Sequence, residues 1–283
     1  MSRIALYLIL IYISGSVSFQ SCSNSTEPNI VTNDVTINDP TNGYRVDARV
    51  IKFGFIGCAF VTVNKGDAIT DADVHINEVE FFHDFDGQYQ DSTESMKYEV
   101  GKKYELKVSH NGVEIAHAIA IMPSEPSITG LPDTSIHPAG EALTFSWKKP
   151  SSASSVQVLM IKDNIFELYE TEFLEPGISS HTIPGEEFTL NGEYDLMVIA
   201  YHGYLPGVNE DSSKGYNISG AAGVFYASNF SASIVLNVVD GVDPSMKKTI
   251  SENPDTQSSM YHNSVSRALK SKNYYDILRI LRR

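Results

Sequence analysis

The chain has 283 residues, 42% of them hydrophobic and 10% aromatic, and a formal charge of −14. That apolar fraction excludes a disordered chain, and the acidic balance argues against nucleic acid as a partner, because phosphate contacts need basic faces. Two cysteines, Cys22 and Cys58, exclude a disulfide framework. The charge is unevenly spread. Residues 264–283 carry six basic side chains against the single acid Asp276, a net +5, which leaves −19 on the rest.

Residues 1–21 have the layout of a secretory signal: Arg3, an uncharged run from Ile4 to Ile13, then small and polar residues from Ser14 to Ser21. The run is too short for a membrane span, which needs about twenty apolar residues. Ser18-Phe19-Gln20-Ser21-Cys22 resembles a bacterial lipobox, in which cleavage precedes a cysteine that receives lipid, although Phe19 and Gln20 depart from the strict pattern. This marks Cys22 as the lipidation site and leaves Cys58 as a lone thiol in an apolar run, the usual setting of a small core residue. Residues 22–43, rich in Asn, Thr, Ser, Asp and Pro without a period, read as a flexible tether. The remaining length suits two small domains.

Residues 44–123 read as strand after strand. Arg45 to Lys52 and Phe53 to Asn64 are β-branched and aromatic, and Asn64-Lys65-Gly66-Asp67 is turn chemistry. Val74, Ile76 and Val79 begin another strand, and Asp86-Gly87 suits a tight hairpin. Tyr104, Leu106 and Val108 alternate with polar neighbours, and Asn111-Gly112 turns the chain into Val113, Ile115, Ile119 and Ile121. Such short strands between Gly and Asn turns predict an antiparallel sandwich. The prolines of Met122-Pro123-Ser124-Glu125-Pro126 mark the domain boundary.

Residues 124–240 have a different rhythm: Leu143-Thr144-Phe145-Ser146-Trp147-Lys148-Lys149-Pro150, then Val156-Gln157-Val158, and later Tyr194-Asp195-Leu196-Met197-Val198-Ile199-Ala200. This resembles a fibronectin type III or immunoglobulin-like domain. The resemblance implies that Trp147 packs between two sheets and that the Tyr194 hydroxyl bonds backbone near the start of its strand. The stretch Tyr201 to Ser219 is a long insert before the final strand. The expected fold is therefore all-β, two tandem antiparallel β-sandwich domains followed by a carboxyl-terminal amphipathic helix.

Gly215 to Ala227, then Ile234, Leu236 and Val238, together with the lipobox and the Asp86-Gly87 hairpin, resemble a group of bacterial surface lipoproteins known as domain of unknown function 4249, common in Bacteroidota. The resemblance implies an outer-membrane lipoprotein working beside a TonB-dependent receptor, and it carries over no functional residues. Residues 241–263 read as a polar linker. In residues 264–283, Tyr274, Ile277, Leu278 and Leu281 fall at i, i+3, i+4 and i+7, and Arg279, Arg282 and Arg283 occupy the last turn, where cations suit the helix dipole.

Two elements are candidate contacts with a ligand or partner. One is the basic helix, through Tyr274, Ile277, Leu278, Leu281, Arg279 and Arg282, which suits a partner protein or an anionic membrane but equally its own acidic domains. The other is the insert, whose Tyr201, His202 and Tyr204, with Tyr226, suit a glycan or peptide, or else cover the end of a sandwich. His83 to Gly87 fails as a calcium loop, because taking Gly87 as its sixth position puts Phe82 first and Thr93 twelfth. Asp71 and Asp73 could add oxygens nearby. No zinc pattern, nucleophile elbow or phosphate loop occurs, so no catalytic residue, metal or cofactor is expected. Asn24, Asn217 and Asn229 open glycosylation triplets that are incidental in a bacterium. The expectation is a non-enzymatic cell-envelope lipoprotein, anchored in the membrane by lipid, that binds or assembles envelope proteins at the outer membrane or cell surface. The alternatives are an accessory that holds a glycan or peptide for a TonB-dependent receptor and a secreted enzyme of unrecognised type.

Overall fold

The computed structural model describes residues 31–32, 35–38, 42–91, 95–162, 167–209, 211 and 215–240. The expected signal peptide, Cys22, the linker and the helix over 264–283 lie outside the described residues. The first half contains β1 (Val31–Thr32), β2 (Val35–Thr36), β3 (Arg45–Phe53), β4 (Ile56–Lys65), β5 (Asp67–Ala68), β6 (Asp73–Ile76), β7 (Val79–Phe85), β8 (Gln88–Gln90), β9 (Lys103–His110) and β10 (Val113–Ile121). The second half contains β11 (Ser127–Thr129), β12 (Thr134–Pro138), β13 (Leu143–Lys148), β14 (Ser155–Lys162), β15 (Glu167–Glu170), β16 (Ser180–Ile183), β17 (Gly192–His202), β18 (Phe225–Phe230) and β19 (Ile234–Val239). Among the described residues the sole helix is a 3-10 turn at Gly185–Glu187, so the protein is all-β there.

The turns follow the residues that suit them. Asp86 and Gly87 both have positive φ, at 46° and 72°, as do Asn111 and Gly112, and this is the backbone of the two-residue turns that match strand twist. One expected strand divides: Asn77 turns the chain at φ 55° between β6 and β7, and its Oδ1 accepts the Glu105 N–H at 2.9 Å.

In the second half, the three-stranded sheet β11-β13-β16 faces a layer that contains β15, β14, β17, β19 and β12. This is the strand order of an immunoglobulin-like sandwich. Phe145, Trp147, Val158, Phe188, Tyr194 and Leu236 fill the space between the layers. Tyr194 donates its hydroxyl to the Leu190 carbonyl at 2.8 Å, four residues upstream, which fixes the corner into β17.

The first half is not closed by its own strands. Its layer β10-β9-β6-β7 continues, through a register shift between His83 and Phe85, into β8, β4 and β3, and the next strand is β18. β18 pairs in parallel with β3 over Phe225 to Phe230 and antiparallel with β17 at Ala227 to Phe230. Ile218, Ala221, Phe225 and Ala227 pack into the first core, beside Val61, Leu106 and Ala120. The expected division at residue 124 therefore assigns to the second domain a strand and an insert that complete the first. Both halves lie on one 14-stranded sheet.

The insert also covers the free edge of β10. His117 and Ser219 exchange both backbone hydrogen bonds, and Asn42 Nδ2 donates to the Ile115 carbonyl at 2.7 Å. An unprotected edge would be open to pairing with another chain. The free-tether reading of 22–43 is corrected at residues 35–38: Val35 and Ile37 are buried, because apolar side chains within reach of Leu205 gain by leaving water.

Because β18 supplies part of the first core, residues 42–123 expressed alone should fail to give a protected fold, whereas residues 31–240 should. Circular dichroism with thermal melting checks this. Phe225→Ala should cost about 3–5 kcal/mol, a large share of the roughly 5–15 kcal/mol typical of a domain.

Candidate functional site

Antiparallel strands with one wet face alternate apolar and polar residues, and β13 does so. β14 and β17 do not. All eight residues of β14 and nine of the eleven in β17 are buried. Val156, Val158 and Met160 enter the second core, while Leu159 and Ile161 point to the opposite face. Alternation likewise sends Val46, Ala48 and Val50 of β3 into the first core and Ile51 to that same opposite face. There Ile51, Cys58, Phe60, Met197, Ile199, Tyr201 and Phe230 join them in a third apolar cluster, outside both cores and across β4, β3, β18, β17 and β14.

The aromatic residues gather at one end of this face. Tyr201 lies lowest, donating its hydroxyl to Gln157 Oε1 at 3.0 Å, and Gln157 Nε2 donates to the Thr171 carbonyl. Tyr204 and Tyr226, both half-buried, stand against it, with ring centroids 6.1 and 5.6 Å from that of Tyr201. Phe173 stacks on Tyr204 at 3.9 Å and meets Tyr201 edge-on at 5.1 Å. Offset and edge-on pairs of this kind contribute about 0.5–1.5 kcal/mol each beyond their area. Arg49, the register partner of both Phe60 and Tyr226, holds its guanidinium 5.8 Å from the Phe60 ring centroid.

Backbone contacts set the turn that carries Tyr204. The Ser154 hydroxyl donates to the Tyr204 carbonyl at 2.7 Å and accepts the Gly203 N–H at 3.1 Å. Gly203 has φ 96°, and a Cβ there would collide with the Phe225 carbonyl, so glycine is required. Asn217, itself buried, donates to the Gly203 and Phe225 carbonyls and accepts the Phe225 N–H.

The structure thus brings together Tyr201, Tyr204 and Tyr226, three of the four candidates at and beside the insert, and separates His202 from them. His202 follows Tyr201 on a strand, so it faces the other way, where its Nδ1 accepts the Ile121 N–H at 3.1 Å. It is buried there, apart from the three rings, and Tyr201 is the floor of the cluster. Trp147 is buried in the second core. Tyr274, Ile277, Leu278, Leu281, Arg279 and Arg282 lie outside the described residues. Phe173 and Arg49 were not legible as partners of these tyrosines, since strand pairing and the return after β15 bring them there.

Asp71 and Asp73 do not converge on the Asp86-Gly87 hairpin. Asp73 contacts His75 Nε2 at 2.8 Å, and Asp71 contacts His110 Nε2 at 3.1 Å, with His110 Nδ1 2.8 Å from the Tyr44 hydroxyl. Among the described residues no three His, Cys, Asp or Glu side chains are placed to hold a metal. No helix among them is long and apolar enough to cross a membrane. Asn217 and Asn229 are buried, and Asn229 Nδ2 donates to the Pro123 carbonyl at 3.0 Å, so neither is placed to accept a glycan in the fold.

No protein-family model matches the sequence, and no curated protein does. Fibronectin domains 1 to 3 of chicken CNTN1 share 12% identity at a TM-score of 0.26, over 71% of this chain and 67% of that one. A two-domain fibronectin type III segment of chicken tenascin shares 12% at 0.23, over 61% and 91%. The fibronectin(III)-like modules of Clostridium thermocellum CbhA share 13% at 0.24, over 73% and 93%. TM-scores this low carry no argument about how the chain works, and the sandwich assignment rests on the strand order given above.

Burial raises the Tyr201 phenol well above its ordinary value, with the neighbouring Tyr226, Glu170 and Tyr204 adding to the shift. Burial pushes the Cys58 thiol up to about 12, against a small opposing effect of Arg49. Both groups keep their protons in the fold at pH values where the unfolded chain loses them. The thiol's contribution is intact below its unfolded value of 9.0 and is lost as pH rises towards the folded value of about 12. Cys58 should therefore resist a small thiol reagent at about pH 8 and react once the chain is denatured. Stability should fall more gently with alkali in Cys58→Ala, as measured by denaturant melts across that range.

Proposed function

We propose that this protein is a non-enzymatic binding and assembly module of the bacterial cell envelope, attached to a membrane through lipid on Cys22. The partly buried aromatic margin of the third cluster carries this reading. The core of the third cluster is itself buried, so what it offers a partner is its partly buried margin of Phe53, Phe173, Tyr204 and Tyr226. Half-buried aromatic rings at the margin of such a cluster are the side chains that most often anchor a partner. Tyr204, Tyr226 and Phe173 present ring edges and hydroxyls at low conformational cost, since the Ser154 and Gly203 contacts already hold the turn.

The partner is an envelope protein, of which a membrane receptor is one example. The basic segment 264–283 supplies a second contact, through the apolar Tyr274, Ile277, Leu278 and Leu281 and the cations Arg279 and Arg282.

Cross-linked capture from the source cells in mild detergent tests this reading. The double variant Tyr204→Ala with Tyr226→Ala should lose at least about tenfold in partner recovery, the scale of two interface anchors, while its melting temperature stays within about 5 °C of the parent. Equal recovery, or a reproducible hydrolytic activity of the purified chain, would contradict the proposal. Labelled fatty acid should enter the parent chain and not Cys22→Ser.

A further inference from the structure

Residues 35–38 lie against the insert between β17 and β18. Val35 is 2% exposed, Ile37 5% and Leu205 5%, and the three pack together beside Val208. Asn38 and Tyr216 exchange both backbone hydrogen bonds, at 2.5 and 2.8 Å. Leu205 directly follows Tyr204, and its N–H donates to Asn209 Oδ1 at 2.5 Å. One short apolar segment thus closes on the residue beside the ring that stacks with Phe173.

We propose that residues 35–38 form a positioning clasp, which fixes Leu205, thereby sets Tyr204 in the aromatic cluster, and couples the amino-terminal attachment of the chain to that cluster. The coupling is local because, among the described residues, Val35 and Ile37 cluster with Leu205 and Val208 and belong to neither of the two cores. Among the described residues the clasp's apolar contacts form one small cluster, so it releases at a lower free energy than the strands around it. The significance of the coupling rests on the reading of Cys22 as the anchor. From Cys22 to Val35 an extended chain spans at most roughly 45 Å, so pull or ordering near the membrane reaches the clasp before it reaches β3. A strap that lets go under load would loosen Tyr204 while the sandwich persists.

The test uses the full mature chain and needs no partner. Ile37→Asp breaks the clasp from one side and Leu205→Ala from the other. In both variants, amide exchange over residues 204–209 and at Tyr216 should accelerate at least about tenfold, and the near-ultraviolet signal of the tyrosines should fall. Exchange over residues 194–200 and 234–238 should not change. A general loss of packing would accelerate exchange in every strand alike and would overturn the proposal, as would unchanged exchange at 204–209. The milder pair Val35→Ala with Ile37→Ala, combined with Leu205→Ala, should give a sub-additive effect, because both sides remove one contact. A clasp that behaves this way in a chain that captures no partner would sink the binding reading and leave the clasp standing. Capture without local coupling would do the reverse.

Discussion

The structure depends on one strand that serves two sandwiches. β18 takes a parallel partner in β3 and an antiparallel partner in β17, and its two faces enter different clusters: Phe225 and Ala227 the first core, Tyr226 and Phe230 the outer one. The chain then leaves the first half within three residues. Ser231 manages that departure, donating its N–H to the Val198 carbonyl while its hydroxyl accepts the Val198 N–H, so that β17 loses no ladder bond where its partner changes from β18 to β19. Pairing residues as far apart in the chain as Ala48 and Phe225 carries a loop-closure cost that grows slowly with length, and the buried aromatic and aliphatic surface of β18 offsets it.

The third cluster follows from the same arrangement. With both halves on one sheet, the strands near the seam are flanked by a core on one side and by the third cluster on the other, and their sequences lose the alternation of a half-wet strand. The aromatic end sits where the insert leaves β17, so the residues that close the first sandwich also hold Tyr204 in place. Contact chemistry and fold closure are tied in this loop, and a change at Asn217 or Gly203 should disturb both.

Much of the local structure was legible because it rests on neighbouring residues. Asp86-Gly87 and Asn111-Gly112 turn the chain as their chemistry implies, and the Tyr194 hydroxyl returns to backbone four residues upstream. What was not legible is what depends on distant pairing. Nothing around Phe225 signals that its partner is Ala48, and nothing in a polar stretch with isolated aliphatics signals that Val35 and Ile37 meet Leu205. The insert tyrosines could be singled out by composition, but His202 was grouped with them although strand alternation alone separates it from Tyr201. The runs of β14 and β17 were read only as a sandwich pattern, and the burial of their second face was not anticipated.

The most direct test of the shared strand is native-state hydrogen exchange on the intact chain, followed strand by strand in rising denaturant. The account expects the central amides of β3, β18 and β17 to exchange through one opening with a single free energy and a single denaturant slope. Exchange of β3 and β4 at a much lower free energy than β14 and β17, with β18 following the latter, would show two halves that open independently and would contradict it.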